Sequence, residues 1–150
     1  MAEELRLIDS ETPETGFKYR LTCRRVLEAM NSAYRDASRT KKKYPVNWAY
    51  MNPDDMIGDG IAENALIEIR SESGCILGVA KADPRLRRGV LSMTHLYGSL
   101  EPSADPIRQR GSHTGRLTSL RNHLEPINFM PRFSGIPVNV TPSAGPAPQT

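Results

Sequence analysis

Between Asn52 and Met93 the chain sets strand, turn and helix-cap signals in closer succession than anywhere else, and this run most narrows the folds open to it. Asn52 can cap a helix with its side-chain oxygen, and Pro53 suits the first helical position. Asp54 and Asp55 then put negative charge where the first turn exposes free N–H groups. The helix is short, because Gly58 and Gly60 interrupt it. Glu63-Asn64 turns the chain, and asparagine tolerates the left-handed backbone such a turn uses. Leu66, Ile67 and Ile69 read as a strand that closes at Ser73-Gly74, with Cys75 to Ala80 as its hairpin partner. Asp83-Pro84 stops that partner, and Gly89 to Met93 supplies a further strand. The centre is therefore strands and tight turns with one small helix, which makes the chain mainly β.

The flanks continue the pattern more loosely. Residues 1–16 are polar, carry Pro13 and Gly16, and read as a flexible tether. Phe17 to Cys23 alternates apolar and polar residues and predicts a half-buried strand leading into Arg24-Arg25. Val26, Leu27 and Met30 follow helical spacing and predict a short helix that stops near Asn31-Ser32. Lys41 to Pro45 is a basic connector, and Trp48, Tyr50 and Met51 are apolar enough to pack. Gly98 to Gly115 is a long loop of mixed charge, and Arg116 to Leu120 a short helix or turn. Proline geometry keeps Glu125 to Arg132 extended, and Gly135 to Val140 reads as a final edge strand in which Pro137 cannot donate to a ladder. From Thr141 the chain is a Pro/Ala/Ser tail, so the expected domain spans 17–140, with the tail over 141–150.

Composition excludes several classes. With 150 residues, 25% charged and 38% apolar, the chain suits one soluble domain able to bury a core. No apolar run approaches a membrane span, and the acidic start Met1-Ala2-Glu3-Glu4 is no secretory signal. Cys23 and Cys75 stand far apart in no ligand spacing, which points to a reducing compartment, with the cytoplasm expected. A net charge of +3 and a pI near 9.0, with clusters at Arg24-Arg25, Arg39 to Lys43 and Arg85 to Arg88, favour an anionic partner. Such runs are more often merely solvated faces.

Motifs for chemistry are few. His95, His113 and His123 accompany no nucleophile motif, and with Cys75 they are too scattered for a metal site. Gly58-Asp59-Gly60 lacks the lysine of one phosphate loop and the later glycine of the other. What remains is a set of polar residues at element ends, each explicable singly as a cap, a turn residue or surface charge. Taken together, arginines with small hydroxyl and amide side chains suit phosphate oxygens, and a carboxylate can accept paired N–H bonds from a guanine edge.

The order of these pieces resembles the molybdopterin-dinucleotide-binding domain found at the C-terminal end of the molybdenum and tungsten oxidoreductases of the formate dehydrogenase, nitrate reductase and dimethyl sulfoxide reductase group. The pieces are Leu21-Thr22-Cys23-Arg24-Arg25 followed by Met30-Asn31-Ser32, then Tyr50 to Asp55, Leu66 to Ser71 with Gly74, Arg88 to His95, Arg116-Leu117-Thr118, and Glu125 to Asn128 through Pro131, Gly135, Pro137 and Val138. Where the family usually has Asp-Gly-Asp, this chain has Glu63-Asn64-Ala65.

The resemblance implies a six-stranded double-psi β-barrel and a cofactor, molybdopterin guanine dinucleotide. By the same carry-over Thr22, Arg24, Asn31 and Ser32 face the pterin and phosphates, and Asn52 with Asp54 or Asp55 faces the guanosine. Ser92, Thr94 and His95 belong to a loop near the cofactor, and Arg116, Thr118 and Asn128 close over it. It also implies that the metal, its protein ligand and any iron–sulfur cluster lie in other domains or a large subunit, so this chain alone does not catalyse. Two rivals remain at this point: a small basic β-protein that binds nucleic acid, disfavoured by sparse aromatics beside the basic clusters, and a cofactor carrier or assembly factor.

Overall fold

The computed structural model describes residues 16–98, 113–122, 124, 125 and 127–143. The expected tether, most of the 98–115 loop, His123, Pro126 and most of the tail lie outside them. Six strands close into a barrel in the order β1-β5-β2-β4-β3-β6. They are β1 (Tyr19–Arg24), β2 (Trp48–Met51), β3 (Leu66–Arg70), β4 (Cys75–Ala82), β5 (Val90–Thr94) and β6 (Ser134–Pro142). Two short helices, α1 (Ser38–Lys43) and α2 (Pro53–Gly58), and a 3-10 helix over Thr114–Leu117 complete the described elements. β1 runs parallel to β5 and β2 parallel to β4, while the other neighbours are antiparallel. The expected double-psi barrel is the fold seen.

Local chemistry builds the central run as expected. Asn52 caps α2 by accepting from the Asp54 N–H at 2.9 Å, and Pro53 opens the helix. Asn64 takes a φ of 64° in the turn before β3, and its N–H donates to the Ala80 carbonyl. β3 and β4 pair from Leu66–Val79 to Arg70–Cys75, and the Ser71 hydroxyl receives the N–H groups of Ser73 and Gly74 to close the hairpin.

Several expectations are corrected. The segment from Glu125 to Arg132 is not extended throughout: it turns at Ile127-Asn128, Phe129 takes a φ of 56°, and the Glu125 N–H donates to the Met130 carbonyl. Val26 to Met30 is not helical: Leu27 is 98% exposed, so its apolar spacing has nothing to bury, and Asn31 turns the chain with a φ of 52°. The basic connector begins inside a helix, since Lys41 to Lys43 are the last turn of α1, which is anchored by buried Thr40, whose hydroxyl donates to the Glu28 carbonyl. β6 is not an edge strand, since it lies between β3 and β1 and closes the barrel. Pro137 is tolerated because β6 pairs with β1 over its first half and with β3 only from Asn139 onward, leaving one ladder at the proline.

Alternation sends Leu21, Met51, Ile67, Ile69, Leu91, Met93 and Val138 inward, all fully buried. Burying each such side chain contributes about 1.5–3 kcal/mol. β4 meets them with small residues, Gly78 and Ala80, beside Ala49 of β2. A Cβ at Gly78 would lie 3.1 Å from Met93 Cε and 3.2 Å from both Ala49 Cβ and Ile69 Cδ1. Gly78→Val is expected to destabilise the domain by about 1–3 kcal/mol through overpacking. Its urea midpoint is the measurement, and an unchanged midpoint means the interior yields freely there.

Candidate functional site

The register of β1, β5 and β2 assembles the candidate site on the barrel's outer face. Thr22 pairs with Ser92, Arg24 with Thr94, and Ser92 in turn with Tyr50 of β2. Because Leu21 and Leu91 take the inward positions, their neighbours Thr22 and Ser92 line up outside. Ser92 and Thr94 stand within β5 rather than in a loop, and the Thr94 hydroxyl accepts the Leu96 N–H at 3.1 Å.

Arg24 makes three contacts there. Its Nε donates to Ser92 Oγ at 3.2 Å, its Nη2 donates to Asp83 Oδ2 at 3.0 Å, and its plane lies 3.8 Å from the centre of the Tyr50 ring. Asp83, buried where β4 ends, also accepts from Arg85 Nε at 2.9 Å and from the Arg85 backbone N–H at 3.1 Å. The Arg85 bonds first, and Arg24 after them, hold the Asp83 carboxyl far below the usual carboxylate range. Burial pushes the Tyr50 phenol up, with the Arg24 guanidinium opposing it.

At the far end of β1 and β5 a second group forms. Arg25 Nη1 donates to Asn31 Oδ1 at 3.1 Å, and His95 Nε2 lies 3.2 Å from the same oxygen. The ring of His113 meets that of His95 edge-on at 6.3 Å. His113 Nδ1 accepts the Gly115 N–H, and the neighbouring Thr114 hydroxyl is 3.4 Å from Cys23 Sγ. Burial lowers both imidazoles below their ordinary range, aided by Arg25 at His95 and by Arg116 at His113. Gly74 lets the 3-10 helix seat against the β3–β4 turn, since a Cβ there would stand 2.7 Å from the Arg116 carbonyl oxygen.

The remaining sequence-selected residues lie elsewhere. Asn52, Asp54 and Asp55 stand at the start of α2, beside the opposite end of β5, about 13 Å along the strand from Thr94. Asn52 is occupied by its cap and by donating Nδ2 to the Leu86 carbonyl at 2.8 Å. Asp55 is buried, accepting from the Gly89 N–H at 2.6 Å and from Arg88 Nε at 3.2 Å. Asp54 is exposed, and no hydrogen bond to its carboxylate forms among the described residues. Thr118 donates to the Gly115 carbonyl and, with Ser71, Arg132 and Pro137, lines a cleft of about 340 Å³. That cleft contains none of the residues from the β1–β5 groups, and a separate hollow lies at Arg24, Tyr44, Trp48, Tyr50 and Thr94. Arg116 is exposed on the 3-10 helix, Ser32 is exposed beyond Asn31, and Asn128 accepts the Met130 N–H in an exposed turn.

Thr22, Arg24, Ser92 and Thr94 are thus brought together by the β1–β5 register, and Asn31 and His95 meet Arg25 just past the ends of the same strands, whereas Ser32 and Asn128 serve exposed turns. Arg25 stands among the polar residues at element ends but is not carried over to the cofactor, and Tyr50, Asp83 and His113 are not selected from the sequence; these four complete the two groups. Arg25 was visible beside Arg24, but the pairing that brings Tyr50 to Ser92 left no local signal. Among the described residues no group of three or more His, Cys, Asp or Glu side chains is placed to hold a metal ion.

Comparison by sequence with curated proteins gives no match. Among solved structures the chain is similar to acetylene hydratase from Pelobacter acetylenicus, with a TM-score of 0.75 and 16% identity. The likeness covers 91% of this chain and 20% of that one, so the chain spans a fifth of that protein's length. At this identity the likeness concerns the fold. A family model described as the molydopterin dinucleotide binding domain matches residues 19–137, from the start of β1 into β6. The chain therefore belongs to the molybdopterin dinucleotide-binding domain family of the molybdopterin oxidoreductases, whose cofactor is molybdopterin guanine dinucleotide.

Proposed function

We propose that this domain grips the pyrophosphate and guanosine of molybdopterin guanine dinucleotide for an oxidoreductase whose metal ligand and catalytic domains lie elsewhere. The observation that carries this reading is the group at the end of β1 and β5, where Arg25, Asn31 and His95 converge. The donor set fits an oxyanion. Arg25 is exposed and forms no ion pair among the described residues, so most of its five N–H donors are available to phosphate oxygens. Arg24 braces the face instead, its charge met by Asp83. Thr22 and Ser32 add exposed hydroxyls, and Asp54 at the other end of β5 offers a carboxylate to a guanine edge. Arg116, Thr118 and Asn128 act as the closing side.

When bound, the cofactor and its metal supply the redox chemistry, and the chain supplies position. Leu120, Ile127, Phe129 and Met130 are more than half exposed, which supports cover by partner domains. No described helix is long and apolar enough to cross a membrane.

Titrating GMP and AMP into the labelled protein tests the guanosine assignment. GMP is expected to move the Asp54 and Asp55 amides first. Asp54→Ala is expected to erase a preference for GMP of about tenfold, since a bidentate base contact discriminates by about 1–3 kcal/mol. Asp55→Ala is the poorer test, because it strips the Gly89 N–H of its buried acceptor. Equal responses to GMP and AMP in the unmodified chain count against the assignment.

A further inference from the structure

The group at the end of β1 and β5 holds a titratable side chain on which, among the described residues, no carboxylate acts. A guanidinium only donates, so the bond from Arg25 Nη1 fixes the Asn31 amide with its oxygen toward Arg25. The same oxygen faces His95 Nε2 at 3.2 Å, which makes Nε2 the protonated nitrogen of the neutral ring. Nδ1 is then the bare nitrogen, and it is buried with no hydrogen-bond partner among the described residues. Among the described residues the charged or titratable groups acting on this ring are Arg25, from the segment after β1, and His113, at the entry to the 3-10 helix. Arg116 acts in turn on His113. Every one of these is a base, and burial first, with these groups after it, lowers the proton affinity of His95 below that of an ordinary imidazole.

We propose that binding of a pyrophosphate diester at Arg25 is coupled to uptake of one proton by His95 Nδ1, so that the site holds its anion more tightly as pH falls. This rests on the reading that Arg25 faces the cofactor's pyrophosphate. The proton comes from solvent, and no bond of the ligand changes. An anion beside Arg25 cancels the charge that suppresses imidazolium formation, and linkage makes the effect reciprocal: whatever factor the anion adds to proton affinity, the proton adds to anion affinity. The sign follows from the direction of the shift. The free-state His95 midpoint lies below the ordinary imidazole value and the anion raises it, so the gain in affinity builds as pH drops from above the bound-state midpoint to below the free-state one. For charges several ångströms apart near a protein surface the rise is about one pKa unit, or about tenfold in affinity.

Diguanosine pyrophosphate is a suitable probe, because its two phosphodiester charges do not titrate between about pH 5 and 8. Histidine-labelled protein followed by NMR is expected to show the His95 midpoint rising by about one unit at saturating probe, and Kd falling severalfold from pH 8 to pH 5.5, toward a limit of about tenfold. His95→Gln keeps an N–H for Asn31 but cannot titrate, and is expected to bind with a Kd independent of pH, whereas His113→Gln keeps the dependence. Saturation without a His95 shift overturns the coupling and leaves the proposed function standing. Absence of probe binding at both pH values overturns both. A pH dependence that survives in His95→Gln and vanishes in His113→Gln overturns the assignment to His95.

Discussion

Truncating Leu21 to alanine is expected to cost about 2–5 kcal/mol, the range for removing a large aliphatic side chain from a core that cannot collapse around the loss. Leu21 has no exposed surface and sits mid-strand in β1, paired with Leu91 on one side and Ile136 on the other. Hydrogen bonding fixes both neighbours in a closed barrel, so neither strand can slide inward to fill the gap. Against a total stability of about 5–15 kcal/mol, the loss is a third or more for most values in that range. Urea unfolding of Leu21→Ala beside Leu27→Ala makes the contrast. Leu27 is 98% exposed, and its truncation is expected to stay within about 0.5 kcal/mol. Similar costs at the two positions would contradict the burial that separates them.

Asp83→Asn is expected to show the second largest effect, about 2–3 kcal/mol at neutral pH. Removing one partner of a buried pair leaves the other charge poorly compensated, which costs about 3–5 kcal/mol when both are fully buried. Arg24 keeps 26% of its side-chain surface exposed, which places the loss at the lower end. Arg85, 84% exposed, adds little. The effect carries a pH signature. The folded-state carboxyl is held far below its ordinary value, so the stability it provides is present above about pH 4, the unfolded value, and is lost as pH falls toward the folded one. The gap between the native protein and Asp83→Asn in urea unfolding is therefore expected to narrow steadily from pH 5 to pH 2. A gap of constant size would mean that the ionised carboxylate is not what Arg24 needs.

How much of this was legible in the sequence depends on how far apart the interacting residues lie. The α2 cap joins Asn52 to Asp54, the β3–β4 turn joins Ser71 to Gly74, and the left-handed turn needs only Asn64, so each could be read from a few adjacent letters. Trp48 to Met51 read only as apolar, because what makes them a strand is pairing with Val79 to Ala82 and with Ser92. The spacing of Val26, Leu27 and Met30 misled for the opposite reason, since periodicity predicts a helix only where there is a surface to receive it. Arg24 was chosen for phosphate and turns out to spend its donors on Ser92 and Asp83, 68 and 59 residues away. Nothing near Arg24 in the sequence distinguishes it from Arg25.

The parallel pairing of β1 with β5 bears on how the chain is made. β1 leaves the ribosome ahead of every other described strand, but its two neighbours are β5 and β6, which emerge last. Arg20 waits for Val90, seventy residues later (90 − 20), an interval of roughly 4–14 s at 5–20 residues per second. Throughout that time Tyr19 and Leu21 have no partner strand, and the nascent chain presents apolar residues to chaperones or to other nascent chains. The yield of the barrel is therefore expected to respond to translation speed and chaperone supply as well as to its final stability.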